Sequence, residues 1–227
     1  MHGKQSEPIF RLMGLIYRSH PWHGIEIGDQ APETVHAYIE IVPSDTVKYE
    51  LDKETGILKV DRPQKFSNVT PCLYGLIPQT YCGPDVAELC RQDTGHPDIE
   101  GDGDPLDICV LSEKVFSRGD FLLHAIPIGG IRMLDGNEAD DKILAVMRDD
   151  AIYGDWRDLG DCPQKLLDRL RHYFLTYKPA PDSTEPNTRI TKIYGREEAL
   201  DTIRRSMADY RRLLGNLDGA LSNLIHK

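Results

Sequence analysis

Residues 35–62, VHAYIEIVPSDTVKYELDKETGILKVDR, decide how the chain is read. In VHAYIEIV, Val35, Ala37, Ile39 and Ile41 alternate with His36, Tyr38, Glu40 and Val42, the period-two pattern of a strand with one face on a core. VKYELD sets Val47, Tyr49 and Leu51 against Lys48, Glu50 and Asp52; KETG is a turn and ILKVDR the return strand, so a hairpin is expected. FLLHAIPIGGIRML (121–134) reads as two strand segments around Pro127, Gly129 and Gly130, and KILAVMR (142–148) as another short strand. Helices come late. Residues 162–178 place Pro163 at a first helical position and repeat Leu166, Leu167, Leu170, Phe174 and Tyr177 at helical spacing. After the turn-rich DSTEPN (182–187), a second helix runs from about Arg196 with Leu200, Ile203, Met207, Tyr210, Leu214 and Leu217 on one stripe. Many strands followed by two helices predict a small β-barrel flanked by helices.

The chain has 227 residues, suited to one domain, and 40% of them are hydrophobic, enough for a core. A net charge of -10 argues against general nucleic-acid binding, which needs a basic face, but leaves room for a local basic cluster around a small phosphate ligand. The five cysteines (Cys72, Cys82, Cys90, Cys109 and Cys162) form no CxxC pair and read as reduced cytosolic thiols. The apolar stretch at 9–17 is broken by Arg11 and lacks a cleavage site, so no signal peptide is expected, and no segment has the length of a membrane span. Residues 1–34 read as an N-terminal extension, in which His20, Trp22 and His23 pack locally rather than bind metal. Residues 78–100 show little period and read as a loop insertion; Cys82, Cys90 and His96 fit no zinc spacing.

The chemistry concentrates in GDGDPLDICVL (101–111), where Asp102, Asp104 and Asp107 precede an apolar strand. Asp102 and Asp104, two apart, project to one side of an extended backbone. Unshared, such carboxylates push one another toward the neutral form, so positive charge is expected between them. LDGNEADDK (134–142) adds Asp135, Asp140 and Lys142. Clustered hard oxygens suit Mg²⁺ or Ca²⁺. An EF-hand register fails, because it puts Leu106 at the fifth position and Asp107 where Gly is required. Mg²⁺, often shared with substrate phosphates, fits better.

DGDPLD resembles the D-x-D-P-x-D signature of the soluble family I inorganic pyrophosphatases. YIEIV, VKYELDKETGILKVDR, PCLYG, LDGNEADDKILAV and HYFLTYK resemble that family's segments in the family's order, over residues 35–180 and more weakly to 215, with 78–100 interrupting. The resemblance implies an α+β fold with a mainly β core, an OB-like β-barrel flanked by two helices, in a single domain over 1–227. It implies hydrolysis of pyrophosphate to two phosphates with several Mg²⁺ ions, Mn²⁺ or Zn²⁺ being possible substitutes. By the same resemblance Asp102, Asp107, Asp135 and Asp140 are metal ligands, and Asp104 is the general base that helps turn a metal-bridging water into hydroxide. Glu50 reaches metal through water, and Glu40 supports the cavity. Lys48, Arg62, Tyr74, Lys142, Tyr177 and Lys178 contact substrate phosphate. Thr70 stands where the family usually has Tyr, and Leu73 replaces a more polar residue. A cytoplasmic homo-oligomer, without nucleic-acid or membrane partners, is implied. The alternatives are a phosphohydrolase acting on nucleotides or esters, and a non-catalytic cation-binding protein, for which the basic residues have no use.

Overall fold

The computed structural model describes residues 19–65, 67–178 and 188–225, with side chains as far as residue 214. The apolar stretch at 9–17, the break at 182–187 and the Leu217 side chain lie outside the described residues. The strands are β1 (Val35–Ile41), β2 (Val47–Leu51), β3 (Leu58–Pro63), β4 (Leu73–Leu76), β5 (Glu100–Gly101), β6 (Asp107–Leu111), β7 (Phe121–Asp135), β8 (Glu138–Ala139), β9 (Lys142–Met147) and β10 (Thr188–Gly195). The helices are α1 (Pro84–Thr94), α2 (Gln164–Thr176) and α3 (Arg196–Ile225).

Five strands close on themselves. β1 pairs with β4 and β7, β4 with β6, β6 with β9, and β9 with β7. The ring is the expected mainly β core. Inside it Ile39, Ile108, Val110, Ala125 and Ala145 are fully buried. Leu167, Leu170 and Phe174 of α2 pack outside it against Ile128, Leu144 and Val146. The expected hairpin is β2–β3, a separate two-stranded sheet.

The alternation in β1 does not describe its burial. Tyr38 and Glu40, on the predicted polar face, are buried as well. The reason is a second cover: Trp22, Leu51, Leu76 and Tyr210 close over Tyr38, so β1 is covered on both faces.

Two other expectations are corrected. Residues 121–135 form one strand rather than two, with a register shift between Pro127 and Gly129. The bulge absorbs the proline and bends the strand without ending it. Gly129 and Gly130 are required here because a Cβ on either would come within 2.3 Å of Leu159 or of the Tyr194 ring. Residues 78–100 are not a bare loop, since they carry α1, which makes three helices flanking the sheet among the described residues. Pro84 starts α1, Val86, Ala87, Leu89 and Cys90 give it a buried face, and Gly95 ends it at φ 73°. Its first amides are held by a carboxylate distant in sequence: Asp209 of α3 accepts from Gly83, Asp85 and Val86 at 3.0–3.2 Å. No pattern local to 78–100 discloses that cap.

Candidate active site

The ring delivers carboxylates from several elements to one end. Asp107 opens β6, opposite Leu76 of β4 and Lys142 of β9. Asp102 and Asp104 precede it around Gly103, whose φ of 76° favours glycine, and the Asp104 amide donates to Asp102 Oδ1 at 2.9 Å. Asp135 ends β7, and Asp140 lies between β8 and β9. The β2–β3 hairpin faces them with Lys48 and Glu50, which share one strand face.

The result is a cleft of about 250 Å³, lined by every sequence-predicted site residue except Arg62. Its acidic and basic groups are interleaved. Lys142, buried, places Nζ between Asp107 and Asp140, and the Tyr74 hydroxyl donates to the same Asp107 oxygen. Lys178 pairs with Asp135. Lys48 Nζ donates to Glu50 Oε2 at 2.9 Å and to Asp61 Oδ2 at 3.0 Å. Tyr177 stacks on Tyr173 with centroids 5.2 Å apart. Arg62, in register with Lys48, bonds to Asp61 and stands 5.9 Å over the Tyr177 ring. Glu40 Oε1 accepts the Leu51 amide at 2.7 Å, tying β1 to the hairpin. Lys53 and Glu138 also line the cleft and were missed. Lys53 follows the end of β2, where alternation no longer says which way a side chain points. It pairs with Asp104.

Thr70 does not line the cleft. Its hydroxyl lies 2.9 Å from the Tyr173 hydroxyl, in the interior. The pair ties the segment before β4 to the helix that presents Tyr177. Cys82 and Cys90 sit in separate apolar clusters.

The electrostatics are divided: Asp140, in spite of its burial, is held below its ordinary range by Lys142, while neighbouring carboxyls are raised. Burial, then the charge of Asp140, pushes the Asp102 carboxyl up to about 8. Burial also lifts Glu40 to about 8 against the Leu51 hydrogen bond. Asp107 is raised by burial in spite of Lys142. Burial likewise holds the Tyr74 hydroxyl well above its ordinary range, so it stays a donor. Among the described residues no three His, Cys, Asp or Glu side chains form a ready-made metal cage, because ammonium groups stand between the carboxylates. The donors themselves, clustered carboxylate oxygens of which those of Asp102 and Asp107 are pushed toward the protonated state, fit a hard divalent cation.

A family model described as inorganic pyrophosphatase matches residues 37–211. An inorganic pyrophosphatase of Chlamydia muridarum is 56% identical over 195 residues, covering 84% of this chain and 93% of the relative. A soluble inorganic pyrophosphatase of Oryza sativa subsp. indica is 38% identical over 192 residues, covering 85% of this chain and 79% of that one. The crystal structure of inorganic pyrophosphatase from Thermus thermophilus superposes with a TM-score of 0.70 at 29% identity, covering 85% of this chain and 99% of that one. Among the described residues no helix is long and apolar enough to cross a membrane.

Proposed function

The chain belongs to the inorganic pyrophosphatase family, and from that premise we propose that the cleft described above is where it hydrolyses pyrophosphate to two phosphates. The observation that supports this most is the cleft's composition: clustered carboxylates, Asp102 among them pushed toward its neutral form, facing lysines and tyrosines that suit a small polyanion. Divalent cations, Mg²⁺ by preference and several per site, with Mn²⁺ or Zn²⁺ as substitutes, would be held by Asp102, Asp107, Asp135 and Asp140, with Glu50 acting through water; they neutralise phosphate charge and make water a stronger acid.

The chain's own groups do the rest. Asp104 accepts the proton of the attacking water. Lys48, Lys142 and Lys178 stabilise the charge that gathers on the departing phosphate. Tyr177, kept protonated by burial, donates a hydrogen bond to a phosphate oxygen, and Tyr74, also kept protonated, does so only when its one O–H leaves Asp107. Arg62 reaches phosphate only when its guanidinium leaves Asp61, after which its planar fork suits two oxygens at once. Glu40 fixes the hairpin rather than the substrate. Lys142 would contact substrate only when its ammonium leaves Asp107 and Asp140, the carboxylates that would hold the cations. The protein positions and neutralises, as phosphoryl transfer requires. The same reading makes the chain one domain, with the N-terminal extension and the α1 insertion built onto it, and a cytoplasmic homo-oligomer.

Substrate choice is tested by phosphate release from pyrophosphate, ATP and a phosphate monoester, each with Mg²⁺. Pyrophosphate is expected to be turned over and the other two left intact. Equal release from ATP would replace this reading with that of a general phosphohydrolase.

A further inference from the structure

The segment ahead of β1 contributes to the cleft. Residues 20–24 make one tight turn, closed by the Gly24 amide on the His20 carbonyl at 2.7 Å. The His20 ring inside it has its tautomer set from both sides. Nδ1 faces the amides of Trp22 at 3.2 Å and His23 at 3.4 Å, so it accepts. Nε2 therefore carries the proton and donates to the Lys53 carbonyl at 3.2 Å. The same ring lies against Gly56, where a Cβ would come 2.8 Å from His20 Cδ2. His20 thus bears on both ends of the turn at the hairpin tip. From that turn Lys53 extends to Asp104.

A second contact runs to the other wall. Trp22, buried, donates Nε1–H to the Thr80 carbonyl at 2.7 Å and accepts the Gln79 amide at 2.9 Å. The Thr80 hydroxyl accepts the Leu106 amide at 2.9 Å, between Asp104 and Asp107. One short turn therefore holds the hairpin tip that carries Lys53 and borders the loop that carries Asp104. It lies outside residues 37–211, the part matched by the family model.

We propose that Lys53 is a positioning residue that fixes the Asp104 carboxylate, and that His20 acts through Lys53 by fixing the backbone it springs from. The inference rests on the pyrophosphatase reading of the cleft. A lysine on a free hairpin tip holds an exposed carboxylate poorly, because ordering a long side chain offsets the attraction. A braced backbone removes part of that cost, and small misplacements of a proton acceptor are expensive in rate.

The test is a double-mutant cycle on the full chain with Mg²⁺ and pyrophosphate, reading kcat, KM and melting temperature for His20→Ala, Lys53→Ala, the double variant and His20→Gln. Lys53→Ala is expected to lower kcat about tenfold with KM little changed, as loss of positioning does. His20→Ala is expected to lower kcat several-fold, and the double variant to be no slower than Lys53→Ala alone. His20→Gln keeps an N–H for the Lys53 carbonyl and is expected to recover most of the rate, whatever its melting temperature. Wild-type kcat in either single variant, multiplied losses in the double variant, or no recovery with Gln overturns the inference. The wild-type control separates the two failures: a wild type that releases no phosphate removes the reading of the cleft and this inference with it, whereas an active wild type with multiplicative losses removes the inference alone.

Discussion

Asp104→Asn is expected to lower pyrophosphate turnover by about 10²–10⁴-fold, the usual worth of a positioned proton acceptor. The substitution keeps the side chain's shape and one acceptor oxygen but removes the charge that receives the proton. Access singles out this carboxylate. The Asp104 side chain is 39% exposed, against 24% for Asp107 and 11% for Asp140, so incoming water meets it most freely. Asp102, Asp107, Asp135 and Asp140 are untouched, so divalent-cation binding by calorimetry is expected to change little while kcat collapses. A variant with both normal rate and normal cation binding would take the proton-accepting role away from Asp104.

Arg132→Met is expected to be the most destabilising change outside the cleft, costing about 3–5 kcal/mol, the usual effect of removing one partner from a buried ion pair. Arg132 on β7 is 1% exposed. Its Nε lies 3.2 Å from Asp141 Oδ2, its Nη1 is 2.8 Å from Glu198 Oε1, and Nη1 also bonds to Asp93. The guanidinium stands 4.9 Å over the Tyr194 ring, and the Tyr194 hydroxyl donates to Asp141 at 2.9 Å. One cation thereby joins β7, α1, α3, β10 and the segment leading into β9. Methionine matches much of the volume but leaves Asp141 buried without its guanidinium. Burial already holds that carboxyl up at about 6 with Arg132 present. Urea unfolding would show the loss as a lower midpoint at unchanged slope. Adding Asp141→Asn to Arg132→Met is expected to recover part of the loss, because the stranded charge is then gone. A fall below about 1 kcal/mol, the range of exposed pairs, would mean that water reaches the network.

What the sequence discloses follows from which interactions are local. Asp102, Asp104 and Asp107 are legible because they crowd ahead of a strand start, but a bend at Gly103, φ 76°, and not the extended backbone expected from their spacing, carries Asp102 and Asp104 into the cleft. Lys48 and Glu50 are legible because they share one strand face. The roles of these residues came from resemblance to a family, not from spacing. Lys53 is invisible to either pattern, since it leaves β2 into a turn and is aimed by His20, 33 residues away in sequence. Helix α1 escaped because its 11 residues carry only a narrow apolar face and its N-terminal cap comes from Asp209. The continuity of β7 escaped because proline and paired glycines usually end a strand; here the bulge and the close approach of Tyr194 require them. Arg132 reads as a polar residue in an apolar strand until α1 and α3 supply its partners. In each case the missing information is a contact between segments distant in sequence.

The central claim is that the acidic wall of the cleft takes divalent cations and, with them, splits pyrophosphate against the basic wall. Phosphate release from pyrophosphate, followed as Mg²⁺ is titrated into the folded chain and then withdrawn with a chelator, tests it most directly. The expected result is no release without the cation, saturating release with it, and loss again on chelation. Folded protein that releases no phosphate in excess Mg²⁺ and pyrophosphate, or that continues undiminished in chelator, would contradict it.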